Sequence, residues 1–133
     1  PAPALGSDER SRADPDSCPG SPCPEETLRR VIEDVNCHDY VIRRDGRIVA
    51  SICLCVAHST EQTIGFVESL VVSSAVRGQG LGRELMQHVI AQAPLLGIGS
   101  LHFTSKPARV AANTLYRSLG FQQRETNVYV MSF

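Results

Sequence analysis

A chain of 133 residues is one domain of ordinary size, able to bury roughly two-thirds of its unfolded surface in a single core, which excludes a multidomain machine. Thirteen Lys and Arg against fourteen Asp and Glu leave a formal charge of −1, so no broad cationic field exists for nucleic acid or an anionic membrane, and neither partner is expected. The apolar runs fall far short of the ~20 residues that span a bilayer, and no charged start precedes a signal-like stretch, so the expectation is a soluble cytoplasmic protein.

Residues 1–23 hold five of the eight prolines among Ser, Asp, Arg and Gly, a composition that predicts an irregular N-terminal segment. Pro1 rather than methionine opens the chain, which suggests that residues upstream have been removed. The folded domain is expected over 24–133. Pro24 suits a first helical position, Glu25 and Glu26 a first turn, and Leu28, Val31, Ile32 and Val35 recur at helical spacing, predicting a helix ending near Asn36. Two strands follow, Tyr40 to Arg43 and Arg47 to Val56, joined at Asp45-Gly46, a dipeptide that tolerates the positive φ of a tight hairpin turn.

A third strand, Thr63 to Val72, alternates so that Ile64, Phe66, Glu68, Leu70 and Val72 share one face. Arg77-Gly78-Gln79-Gly80-Leu81-Gly82 then opens a helix with Leu81, Leu85, Val89 and Ala93 on one side, stopped by Pro94, Gly97 and Gly99. A fourth strand, Leu101 to Ser105, leads through Lys106-Pro107 to a helix from about Ala108 to Leu119, ended by Gly120. Residues Phe121 to Phe133 read as extended. Strands alternating with helices in the second half, and hairpins at both ends, predict an α/β or α+β class with a mixed sheet between helices.

The cysteines Cys18, Cys23, Cys37, Cys53 and Cys55 are odd in number and lack the paired CxxC spacing of a zinc site, so no metal is expected. Cys53 and Cys55, two apart in an apolar run, share a strand face as small hydrophobes. Cys37-His38 has no second pair at a useful spacing. His58 and His102 are read as structural strand histidines rather than site residues.

The glycine loop is the most informative feature. Glycines there permit close approach of a ligand to backbone that turns directly into a helix N-terminus, where unpaired amides and the helix dipole face an anion. No Walker A string exists, and the even spacing of Gly78, Gly80 and Gly82 does not match the dinucleotide fingerprint, so a dinucleotide-binding module is disfavoured. Two readings stand at this point: a pyrophosphate cradle, or simply a tight strand-to-helix turn.

Arg77-x-x-Gly80-x-Gly82 after an apolar strand resembles the acyl-CoA pyrophosphate loop of the GNAT N-acetyltransferase superfamily. Downstream, Ala112-Asn113-Thr114-Leu115-Tyr116-Arg117-Ser118-Leu119-Gly120-Phe121 is similar to that family's Asn-x-x-x-x-Tyr or Asn-x-x-Tyr helix ending in Leu-Gly-Phe, and the resemblance covers about 24 to 133. It implies a GNAT-like mixed, largely antiparallel sheet with helices on both faces, binding acetyl-CoA between the splayed third and fourth strands. The implied cofactor-binding residues are the backbone of Leu70, Val71 and Val72 for the pantetheine arm, Arg77, Gly78, Gln79, Gly80, Leu81, Gly82 and Arg83 for the pyrophosphate, and Asn113 for the pantetheine end. Tyr116 is implied as the acid that protonates the departing thiolate.

Glu68 interrupts an apolar face, where an unpaired buried carboxylate is expensive. It is read either as a general base acting on the acceptor ammonium, its pKa raised by burial, or as half of an ion pair with an arginine. Tyr116 has a rival reading as a packing residue. The family opens with a strand and a helix that residues 1–23 do not display, so the N-terminus is shortened or atypical and the acceptor side is remodelled, incomplete or completed by a second chain. The implied reaction is acetyl transfer from acetyl-CoA to an amine by direct attack in a ternary complex, without a metal. The alternative is a catalytically weak CoA-binding or protein-interaction module on the same fold. An exposed C-terminal strand would suit a homodimer.

Overall fold

The computed structural model describes residues 25–133. The Pro-rich segment 1–23 and the helix start at Pro24 lie outside the described residues. Two compact units divide the rest, the first reaching Phe103 and the second spanning Thr104–Phe133.

In the first unit, α1 (Glu25–Glu33) buries Leu28 and carries exposed Arg29–Glu25 and Arg30–Glu26 pairs one turn apart. It ends three residues before the expected Asn36 because the Asp34 carboxylate accepts the Asn36 amide at 2.9 Å, a side-chain turn that competes with the helix. The chain therefore enters β1 (Cys37–Arg44) earlier than expected, three residues before Tyr40. Asp45 and Gly46, at φ 50 and 75, form the expected tight turn into β2 (Arg47–His58). β3 (Thr63–Val72) pairs antiparallel with β2, and β4 (Ser100–His102) pairs parallel with β3, giving the order β1-β2-β3-β4. The sheet is mixed and largely antiparallel, as expected.

β2 is buried on both faces from Ala50 to Leu54, so both faces of the sheet are covered along it. One cover is α2 (Leu81–Leu95), whose Leu81, Leu85, Met86, Val89 and Ala93 are buried, and whose His88 ring meets Tyr40 edge-on at 4.6 Å. Pro94 sits inside this helix rather than stopping it: in the last turn a missing amide forfeits at most one hydrogen bond. The stop comes from Gly97 at φ 72, with Ile98 N–H bonded to the Ala93 carbonyl and Gly97 N–H to that of Pro94. This is a Schellman end, closed by the buried Ala93 and Ile98. Gly97→Ala is expected to cost about 1–2 kcal/mol, because an L side chain is strained in the left-handed region. Urea unfolding at neutral pH measures the loss, and an unchanged midpoint would contradict it.

In the second unit, α3 (Val110–Ser118) ends in the same way, with Phe121 N–H on the Tyr116 carbonyl, Gly120 N–H on that of Arg117, Gly120 at φ 94 and the Tyr116 and Phe121 rings edge-to-face at 6.5 Å. Two expectations fail here and at β4. The fourth strand spans three residues rather than Leu101 to Ser105, since only Ile64, Gly65 and Phe66 of β3 pair with it. No strand is described over residues 121–133, where Val128, Tyr129, Val130, Met131 and Phe133 are exposed. Strand-forming residues make a strand only where a partner edge is available. Among the described residues no helix is long and apolar enough to cross a membrane.

Candidate active site

The last pair between β3 and β4 is Phe66 with His102, and β4 ends there. β3 runs on through Val72, still paired with β2 at Val71–Ser51 and Val72–Ala50, so its other edge extends past β4. A bulge marks the divergence: Glu68 pairs with Cys53 and Val71 with Ser51, leaving Ser69 and Leu70 together opposite Ile52, with Ser69 at φ 54. A bulge takes a peptide unit out of the ladder and bends the strand, and such features recur beside active sites. Leu70, Val71 and Val72 lie on this diverging stretch.

A 3-10 turn, Ser74–Val76, carries the chain from β3 into the glycine loop. Gly78 and Gly80 take φ of 77 and 79, and a Cβ built on either would meet nothing within 4 Å, so the loop needs glycine for its conformation and faces open space. Gly80 is the N-cap of α2 and supplies no side-chain cap, which leaves the first-turn amides at Leu81, Gly82 and Arg83 to find partners outside the helix ladder. Helix N-termini of this kind, with first-turn amides outside the ladder and the positive end of the dipole, favour anions. Arg77 has a positioning contact as well: its Nε donates to the Val72 carbonyl at 3.4 Å, tying loop to strand. The side chain of Gln79 accepts a hydrogen bond from Arg44, at the end of β1. Arg44 was not singled out from the sequence because it stands 35 residues away, and only the folded hairpin delivers a further cation to the loop.

Glu68 is exposed, which overturns the expectation of a buried carboxylate. The alternation is as expected up to Glu68, but the buried face of β3 is the one carrying Gly65 and Val67, while Phe66, on the Glu68 face, is 39% exposed. The bulge then breaks the expected sharing of one face by Glu68, Leu70 and Val72. Glu68 keeps its place at the divergence of β3 from β4. His102, next to Phe66 at a ring distance of 5.9 Å, has its Nε2 2.9 Å from Ser100 Oγ. His58 Nδ1 lies 3.0 Å from Thr63 Oγ1, a strand-end contact in keeping with a structural role.

In the second unit, Asn113 and Tyr116 stand three apart on α3 and so share a face. The Asn113 amide donates to the carbonyls of Lys106 at 3.0 Å and Pro107 at 3.5 Å, closing the loop that precedes the helix. Tyr116 is 8% exposed; burial pushes its phenol up, against the opposing effect of the Arg109 guanidinium. A phenol held neutral is a proton donor.

The sequence reading missed one cluster. Cys37 lies directly opposite Cys55, with sulfurs 3.5 Å apart, and Cys53 and Cys55 are 3.7 Å apart on the same face. Burial, then the neighbouring Cys55 and Asp34, push the Cys37 thiol up to about 12; burial, then Asp39 and Cys55, push Cys53 up as well. Thiols so held are neutral near pH 7 and poor nucleophiles. A concave depression lined by Tyr40, Glu84 and His88 opens beside β1, at the other end of the described strand order from the β3–β4 divergence.

Comparison with known proteins gives this geometry its context. The family model described as the acetyltransferase (GNAT) family matches residues 9–121. An IAA acetyltransferase of Azospirillum brasilense is 31% identical over 84 residues, which are 63% of this chain and 54% of that protein, so the chain spans about half the length of the curated relative it matches. A Trypanosoma brucei acetyltransferase structure superposes with a TM-score of 0.75 at 20% identity, covering 98% of this chain and 97% of that one. The aminoglycoside N-acetyltransferase AAC(6')-Iy in complex with CoA superposes with a TM-score of 0.72 at 14% identity, covering 81% and 84%. These likenesses carry the fold, and the match over most of the sequence carries the family. With its sheet opening where β3 outruns β4 and its glycine loop leading into α2, the chain belongs to the acetyltransferase (GNAT) family.

Proposed function

We propose that this protein is an N-acetyltransferase that moves an acetyl group from acetyl-CoA to an amine by direct attack in a ternary complex. The observation that carries the reading is the edge of β3 past Phe66, which no described strand pairs on the β4 side, followed within a few residues by glycines in left-handed conformations that face open space at a helix N-terminus. An extended pantetheine arm can add to that edge as a strand would, through the backbone of Leu70, Val71 and Val72. The amides from Gly78 to Arg83, with Arg77, then receive the pyrophosphate. Support for the donor also comes from the CoA held by the aminoglycoside acetyltransferase of the same fold.

The thioester supplies an activated acetyl carbonyl, and this chain's residues do the rest. Glu68 takes a proton from the acceptor ammonium, directly or through water, and the neutral amine forms the new C–N bond. The peptide released from the ladder at the Ser69 bulge offers an amide to the carbonyl oxygen as negative charge develops there. As the C–S bond breaks, Tyr116 donates its proton to the sulfur, and the second proton on the new amide nitrogen passes through water to restore the phenol. Asn113 anchors the pantetheine end through the part of its amide not committed to Lys106 and Pro107. The neutral Cys37 and Cys53 thiols favour direct transfer over a covalent acyl-enzyme.

Thermal unfolding with acetyl-CoA, CoA, NAD and ATP tests the donor half without any acceptor. A ligand at ~100 times its dissociation constant stabilises the fold by ~2.7 kcal/mol, several degrees for a domain of this size. Acetyl-CoA and CoA are expected to stabilise the protein and NAD and ATP to leave it unchanged. No shift with either CoA species sinks the reading; a shift without amine-stimulated thiol release supports only a CoA-binding module.

A further inference from the structure

The three described cysteines converge although they are spread over 18 residues of sequence. The Cys37–Cys55 and Cys53–Cys55 sulfurs are 3.5 and 3.7 Å apart, and all three lie within 4.8 Å of one another. Three thiolates on one cation at a metal–sulfur distance of about 2.3 Å stand about 3.8 Å apart in a tetrahedral set and about 4.0 Å in a trigonal one. The triad therefore already has nearly the span of a metal-bound set, across the β1–β2 hairpin. Two carboxylates stand near it: the charge of Asp34 helps push the Cys37 thiol up, and that of Asp39 the Cys53 thiol. Asp39 is also the direct cross-strand neighbour of Cys53 and so lies on the triad's face. Cys53 is buried while Cys37 and Cys55 are only partly so, which gives the triad a closed floor and a side open to an incoming ion.

We propose that Cys37, Cys53 and Cys55 bind a thiophilic d10 cation of the Zn2+ class, with an Asp39 oxygen in the fourth position. Binding converts three thiols to thiolates, M2+ replacing three protons that go to solvent; no electrons are transferred and no co-reactant is needed. The site pins β1 to β2 and is independent of the acetyl-transfer reading, since none of its ligands is assigned to that chemistry.

The test uses the full chain, reduced with a phosphine, freed of metal and titrated with Cd2+, whose thiolate charge-transfer absorbance reports sulfur ligation. One equivalent is expected to saturate the signal both in the unaltered chain and in the Cys18→Ser/Cys23→Ser double variant. Cys55→Ser is expected to weaken binding at least tenfold. Iodoacetamide footprinting of the unaltered chain is expected to show Cd2+ slowing alkylation at Cys37, Cys53 and Cys55 together. Loss of the signal in the Cys18→Ser/Cys23→Ser variant, or a Cys55→Ser titration like that of the unaltered chain, overturns the proposal. Should Cys55→Ser fail to fold, the footprint decides alone, and equal alkylation rates with and without Cd2+ reject the site.

Discussion

Tyr116→Phe is expected to lower kcat for acetyl transfer about a hundredfold, the lower end of what a positioned proton donor contributes, while leaving acetyl-CoA binding within about threefold. The substitution removes only the hydroxyl from a buried ring packed edge-on against Phe121, so the helix and its glycine end are retained. The pH dependence separates this role from packing. Burial raises the phenol's pKa above its ordinary value near 10, so the donor form persists at neutral and moderately alkaline pH. Turnover limited by that proton falls as pH rises through the raised pKa, and the Phe variant lacks this limb. A fall in kcat of less than about threefold, or an identical alkaline profile, returns Tyr116 to a packing role.

Glu68→Gln is expected to lower kcat/KM for the amine about a hundredfold at neutral pH. The deficit should narrow as pH approaches the amine's own pKa, because the acceptor then arrives already deprotonated and no longer needs the carboxylate. Acetyl-CoA should stabilise the Gln variant as it does the unaltered chain, since the proposed cradle is the Leu70–Val72 edge and the loop through Arg83. Equal turnover at every pH would falsify the base assignment. Because Glu68 is exposed, the substitution should leave folding stability nearly unchanged, so a lost rate reads as lost chemistry.

The two assignments differ in what the fold lends them. Tyr116 is buried, and burial keeps its phenol protonated to higher pH. Glu68 is set by position: it is the last residue before the bulge, just past the point where β4 stops pairing with β3. An exposed carboxylate there exchanges protons readily with solvent, which suits a group that must unload a proton in every cycle.

Local elements were legible in the sequence because their causes are local. Helical spacing of Leu81, Leu85, Val89 and Ala93 marks the buried side of α2, Asp45-Gly46 the hairpin turn, and Gly97 and Gly120 the helix ends, each within a few residues of its effect. The order of strand, glycine loop and helix, with Gly78 and Gly80 in the left-handed region, followed from the same short-range rules and pointed to the family. Tertiary structure alone decided which face of β3 is buried, since alternation defines two faces but not what packs on them. It decided that β4 is three residues long and that residues 121–133 form no strand, because pairing needs a partner edge from elsewhere in the chain. It brought Arg44 to Gln79 across 35 residues. It also built the cysteine triad through one irregularity. The hairpin register begins at Arg44–Arg47 and would place Cys37 opposite Leu54, but the slip between Ile42 and Arg43 moves it opposite Cys55. A one-residue slip turns every later side chain to the other face of its partner, and the competition of long-range packing that selects such a slip leaves no mark in the local pattern.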